Sequence, residues 1–235
     1  MPIKHPQFLN NGIYHIVTRG VEKRQIFMDD SDYYRAIFSL YEFNDENPVL
    51  IRDRRRDRLR AKKNGIELFS AARELLVEIL TFCLMPNHLH LLLRQLKNNG
   101  ITAFMRKFGA GYPAYFNKRY DRVGHLFQGR FRAVSIDSTE QLKNTFVYIN
   151  VNPTDLIEAG WKEKGIREPE KAIKFLENYK WSSYPDYAGN KNFPSLTNRG
   201  FILETLGGKE NCKDLVEEWI RNKGEASALK EGVLE

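Results

Sequence analysis

Two cysteines, Cys83 and Cys212, are all that 235 residues supply, and they lie far apart without metal-ligand spacing. A disulfide framework and a zinc knuckle are thereby excluded, and a reducing cytosol is the expected setting. Long apolar runs are missing too. No stretch is long enough to cross a bilayer, and the opening Met-Pro-Ile-Lys-His-Pro lacks the apolar segment of a signal peptide. The expectation is a cytoplasmic protein with no membrane partner. Neither internal repeats nor low-complexity tracts occur. Acidic residues fall short of basic ones, 30 against 37, which leaves a net charge of +7. That excess favours a polyanionic partner. What remains is ordinary: 42% hydrophobic and 29% charged residues describe a globular chain. Its length fits one domain with an extension, or two small domains.

The basic residues are clustered. Residues 51–64 hold eight Lys/Arg against Asp53 and Asp57, and read as a basic insertion, which in most proteins is a solvated charged stretch. Residues 101–136 hold seven, interleaved with Phe104, Phe108, Tyr112, Tyr115, Phe116, Tyr120, Phe127 and Phe131. Bases stack on aromatic rings while Lys and Arg neutralise phosphates, so this mixture suits a single strand. An amphipathic helix with part of those aromatics in the core explains the same pattern without any ligand.

Patterning gives the order of elements. Residues 13–19 are β-branched and aromatic between two glycines, a strand. Asp29, Asp30 and Ser31 are cap candidates for a helix to about Phe43. Residues 76–85 and His88–Gln95 are two strands around a Pro86-Asn87 turn, hence a hairpin. A helix is expected from about Ile101, disturbed by Gly109, Gly111 and Pro113, with a continuation to Tyr120 as one reading. Residues 126–136 read as another strand, and Asp137 or Ser138 caps a helix that Pro153 ends. The expected fold class is therefore α+β, a ferredoxin-like split βαβ antiparallel sheet with helices on one face and the other face free. An added helix follows, then a C-terminal extension over 161–235 with helices near 170–179 and 210–222.

Two patterns carry chemistry. Along His88-Leu-His90-Leu-Leu-Leu93 side chains alternate, so His88 and His90 share one face and the leucines the other. Two imidazoles so placed can converge on one cation, although histidine pairs on strands are more often hydrogen-bonded structure and a third ligand is needed. In the helix after Ser138, Leu142, Phe146 and Ile149 make the apolar stripe. Gln141, Asn144, Tyr148 and Asn152 fall on a polar face, with Tyr148 and Asn152 one turn apart. A tyrosine there is not needed for the core; a partly exposed phenol with a hydrogen-bonded hydroxyl is the plainer reading.

The segment Leu84-Met-Pro-Asn-His-Leu-His-Leu-Leu-Leu93 resembles the HUH motif (histidine, bulky hydrophobe, histidine) of single-tyrosine transposases. More closely, the chain resembles the REP-associated tyrosine transposases, relatives of bacterial insertion-sequence transposases. The resemblance is carried by Tyr14-His-Ile-Val-Thr-Arg-Gly20, Tyr115-Phe-Asn117, Gly124-His-Leu-Phe-Gln-Gly-Arg-Phe131, Tyr148-Ile-Asn-Val-Asn-Pro153 and Trp181-Ser-Ser-Tyr184, in that order. It implies an HUH nuclease domain over about 1–160. His88, His90 and Asn152 would be metal ligands for Mg²⁺ or Mn²⁺, and Tyr148 the nucleophile. Strand cleavage would pass through a 5′-phosphotyrosine with a free 3′-hydroxyl. It also implies single-stranded or hairpin DNA as partner, a nucleoid-associated location, and either a monomer or a homodimer. Arg119, Arg122, Arg130 and Arg132 are candidates for phosphate contacts, and Tyr115 and Asn117 belong to a structural or DNA-contacting motif. Tyr112, Tyr115 and Tyr120 are rival nucleophiles that lack a partner matching Asn152. Two other readings stand beside this one: a domesticated hairpin-binding protein without catalysis, and a metal hydrolase using water, which would not need Tyr148.

Overall fold

The computed structural model describes residues 6–64 and 73–222. Four strands, β1 (Ile13–Arg19), β2 (Val77–Met85), β3 (His88–Gln95) and β4 (Arg132–Ile136), form one sheet in the order β2-β3-β1-β4. Every neighbouring pair is antiparallel. With α1 (Asp30–Phe43) and α3 (Gly100–Arg119) as the two crossover helices, this is the expected split βαβ arrangement. The basic insertion forms α2 (Ile51–Lys63) between α1 and β2.

Register assigns the two faces. Val17 lies opposite both His90 and Arg132, and His90 lies opposite Cys83. His15, Val17, Arg19, His88, His90, Leu92, Cys83 and Arg132 therefore share one face. Leu89, Leu91 and Leu93, fully buried, lie on the other with Tyr14 and Ile16. That leucine face is covered by α1 and α3, which pack on each other.

The histidine face is not free, contrary to expectation. Helix α4 (Thr139–Val151) crosses it, capped by the Ser138 hydroxyl, which accepts from the Gln141 amide at 3.1 Å. Its last turn is buried on all sides, from Phe146 through Val151. The chain beyond it covers the outer side: α5 (Trp161–Lys164), α6 (Pro169–Asn178), α7 (Tyr184–Ala188), α8 (Gly200–Thr205) and α9 (Lys209–Arg221). Between α6 and α7 the backbone runs beside the β2 edge, where the Leu84 amide donates to Trp181 (2.8 Å) and the Ser183 amide to Phe82 (3.0 Å). The edge is thereby covered. Tyr179 and Tyr187 add phenol bonds to the carbonyls of Leu84 and Leu80. Residues before and after 160 share one hydrophobic core. Among the described residues no helix is long and apolar enough to cross a membrane.

Two local expectations are corrected. The strand read over 126–136 is regular only from Arg132. Phe127 makes an isolated bridge to Gly20, and Gly129 at φ 71° then turns the chain out of the ladder. Helix α3 is unbroken through Gly109, Gly111 and Pro113. Gly111 is there for packing: a Cβ at this position would meet the Phe43 ring at 2.2 Å, so the glycine lets α3 approach α1. A Cβ on Gly109 would meet nothing within 4 Å. Gly109→Ala should therefore stabilise the protein by up to about 1 kcal/mol. Gly111→Ala should destabilise it by about 1–3 kcal/mol through overpacking. Urea midpoints check both, and equal effects of the same sign would contradict this reading.

Candidate active site

The site is built where the buried turn of α4 meets β1 and β3. His90 is 1% exposed and its Nδ1 lies 2.9 Å from Nε2 of His15. Its other nitrogen, Nε2, is buried without a hydrogen-bond partner among the described residues. His88 holds the Asn87 side chain through Nδ1 at 2.6 Å. The Asn152 side chain lies close enough to His88 to influence its protonation, and its amide nitrogen is buried without a hydrogen-bond partner among the described residues. The His88 and His90 rings stand edge to face, 4.9 Å between centroids.

Tyr148 reaches the same place from the helix. Its ring lies 5.6 Å from that of His90 and 6.1 Å from that of His15, both edge to face. Its oxygen accepts a hydrogen bond from Lys162 Nζ at 3.0 Å. Asn152 keeps helical φ and ψ although a proline follows, and this holds its side chain one turn beyond Tyr148. The partly exposed phenol expected from the sequence is in fact 4% exposed, because its ring lies against His90 and His15 of the sheet and its oxygen meets Lys162 of α5.

Burial sets the protonation of the imidazoles. It pushes His15 down to about 3 and is the largest cause that brings His88 to about 4, with the nearby charges of Arg19 and Lys162 adding to it. His90 is held well below the ordinary range, again chiefly by burial. At neutral pH the three rings are therefore neutral, the form in which an imidazole offers a lone pair.

The same shifts predict acid sensitivity. An unfolded histidine titrates near 6.5. The unfolded chain thus binds more protons than the folded one from that pH down to about 3 for His15 and about 4 for His88. Stability should be flat above about pH 7 and fall as the pH drops through that window. Denaturant midpoints at about pH 7.5 and about pH 5 measure it; no fall at the lower pH would contradict neutral buried imidazoles.

The residues present suit a divalent ion in part. Two neutral imidazoles, one with an unpartnered buried nitrogen, and a neighbouring amide offer three donors. Among the described residues no cluster of three His, Cys, Asp or Glu is arranged as a metal site, so the set depends on the amide and on oxygens from outside the chain.

Most of the other expected residues lie elsewhere. Arg119 bonds to Asp29 and to buried Asp32, and Tyr115 and Tyr120 donate to the same Asp32 carboxylate. Asn117 holds the Gly124 carbonyl and accepts from Arg122 at 2.7 Å. Tyr112 is buried and donates to the Ile26 carbonyl. None of these three tyrosines meets the histidines, whereas Tyr148 does. Arg130 is exposed on the turn before β4, and Arg132 sits on the histidine face. Residues that sequence reasoning missed are His15, Arg19 and Lys162. Alternation along β1 places His15 and Arg19 on one face, a legible signal once β1 is paired with β3; Lys162 gave none.

Four of these side chains, His88, His90, Tyr148 and Asn152, fall within one stretch of chain that can be compared with known families. Residues 49–152 match the family of IS200-like transposases. The transposase resemblance read from the motifs is borne out over that stretch, which leaves out β1 and α5. The curated proteins contain no match. Among solved structures, the chain is similar to a REP-associated tyrosine transposase bound to a REP hairpin, at 14% identity and a TM-score of 0.46, covering 83% of this chain and 90% of that one. It is also similar to a bacterial tRNA(His) guanylyltransferase-like protein in complex with ATP, at 10% identity and a TM-score of 0.37, with 75% of each chain covered. A tRNA(His) guanylyltransferase from Saccharomyces cerevisiae follows at 13% identity and a TM-score of 0.33, covering 74% and 75%.

Proposed function

We propose that this chain is a metal-dependent transposase of single-stranded DNA that cleaves through Tyr148 and recognises hairpin DNA. The observation that carries the proposal is the meeting of Tyr148 with His88, His90 and Asn152 inside one chain, from elements far apart in sequence. His88, His90 and Asn152 would hold Mg²⁺ or Mn²⁺, with oxygens of the DNA and water completing the shell. Once bound, the ion would polarise the scissile phosphate. The Tyr148 oxygen attacks phosphorus, the bond to the 3′-oxygen breaks, and a 5′-phosphotyrosine and a 3′-hydroxyl result. Because the phosphotyrosine conserves the energy of the broken bond, a 3′-hydroxyl on another strand reverses the step. His15 fixes which nitrogen of His90 faces outward, the usual office of a group behind a metal-binding histidine. Arg19 and Arg132, which share that face, would meet phosphates.

The test is a labelled library of single-stranded hairpins incubated with protein and Mn²⁺ or Mg²⁺, then resolved on a denaturing protein gel. A covalent protein–DNA band that disappears with EDTA is expected. Binding with no such band in either metal would replace this reading with that of a hairpin-binding protein that has left catalysis behind.

A further inference from the structure

We propose that Lys162 is a catalytic residue: its ammonium grips the Tyr148 oxygen before and during strand transfer. The inference rests on the reading of Tyr148 as nucleophile. Lys162 lies outside the stretch matched to the IS200-like transposases, fourteen residues beyond Tyr148.

Three observations place it. Nζ donates to the phenol oxygen at 3.0 Å and stands 5.1 Å from the centre of the same ring. The lysine is half-buried, and among the described residues no carboxylate pairs with it. Its backbone is anchored: Trp161 is buried edge to face against Trp219 at 5.3 Å, and the amides of Glu163 and Lys164 bond to the Gly160 carbonyl. A long side chain held at its root and unpaired at its head, with one partner in reach, differs from a solvated surface lysine.

The chemistry follows from where charge develops. Attack by Tyr148 releases the phenol proton to water, forms the bond from the phenol oxygen to phosphorus and breaks the bond to the 3′-oxygen, which takes a proton from water. The ammonium neither gains nor loses a proton. In the forward step it directs the oxygen lone pair and offsets its negative charge. In the reverse step it receives the oxygen as it leaves phosphorus. A donor fixed in advance at a developing oxyanion contributes on the order of 10²–10³ in rate.

The experiment compares wild type, Lys162→Met, Lys162→Arg and Lys164→Met, the last an exposed neighbour on the same short helix. With tyrosine labelled by ¹³C at Cζ, the Tyr148 resonance should move in Lys162→Met, return toward wild type in Lys162→Arg and stay put in Lys164→Met. With Mn²⁺ and the hairpin substrate, Lys162→Met should lower the rate of adduct formation on the order of 10²-fold with hairpin affinity unchanged. Lys162→Arg should restore most of it. Matching thermal midpoints exclude a folding effect. An unmoved Tyr148 resonance overturns the proposal whether or not DNA is cut, as does a moved resonance with a wild-type rate of adduct formation. A moved resonance with no adduct from wild type overturns instead the reading of function on which the proposal stands.

Discussion

Tyr148→Phe should abolish covalent capture of DNA, by on the order of 10³-fold or more, while leaving the fold and hairpin binding intact. The magnitude follows from removing the attacking atom itself, for which no neighbour can substitute. Survival of the fold follows from what the ring does. Its edge-to-face contacts with His90 and His15 are made by carbons that Phe retains. Among the described residues the hydroxyl bonds only to Lys162, and one such bond to a charged group contributes about 1.5–3 kcal/mol. The rival phenols cannot take over, since Tyr112, Tyr115 and Tyr120 donate to Ile26 or Asp32. Cleavage assays on wild type and variant, beside a melting curve, check the prediction. Persisting cleavage without an adduct would favour attack by water.

The second large effect is structural. Asp32 is fully buried and accepts from the Met28 amide (2.9 Å), Tyr115 (3.0 Å), Tyr120 (2.8 Å) and Arg119 (2.8 Å). This single carboxylate ties the start of α1 to the end of α3. Desolvation and the carboxylate hold the phenols of Tyr115 and Tyr120 above their ordinary range, so both remain donors. Asp32→Ala would leave two phenols, an amide and a guanidinium facing an apolar gap. A loss of about 3–5 kcal/mol is expected, near the lower end because Asp29 still holds Arg119. Against a typical total of about 5–15 kcal/mol, that loss brings a small protein close to unfolding. Denaturant titration measures it; a loss under about 1 kcal/mol would contradict the account of Asp32 as the junction of α1 and α3.

The same network limits what the basic aromatic segment can do for DNA. The interleaving of Arg119, Tyr115 and Asn117 resembles a single-strand platform in sequence. In the fold these side chains hold α3 to α1 and to the turn at Gly124. Spacing reveals which residues share a helix face, but not which of them meets a buried carboxylate 83 to 87 residues away.

Legibility followed the range of the interactions. Strand alternation gave the two faces of β3 and the placement of His88 and His90, because side-chain direction in a strand is local. Helical spacing gave Tyr148 and Asn152 as one-turn neighbours for the same reason. The cover over the histidine face was not legible, since it depends on α4 folding back onto β2 and β3 and on α9 packing over α4 from far along the chain. Composition marked Gly111 as a disturbance because the sequence does not show Phe43 opposite it. Lys162 joined the site only through tertiary approach.

The most direct measurement maps the adduct itself. Full-length protein is incubated with a single-stranded hairpin and Mn²⁺, digested, and the DNA-linked peptide is sequenced by mass spectrometry. An oligonucleotide attached through its 5′-phosphate to Tyr148, with the complementary fragment ending in a 3′-hydroxyl, is the predicted result. Attachment at any other residue, or cut DNA with no attachment, would contradict the assignment of Tyr148 as the nucleophile.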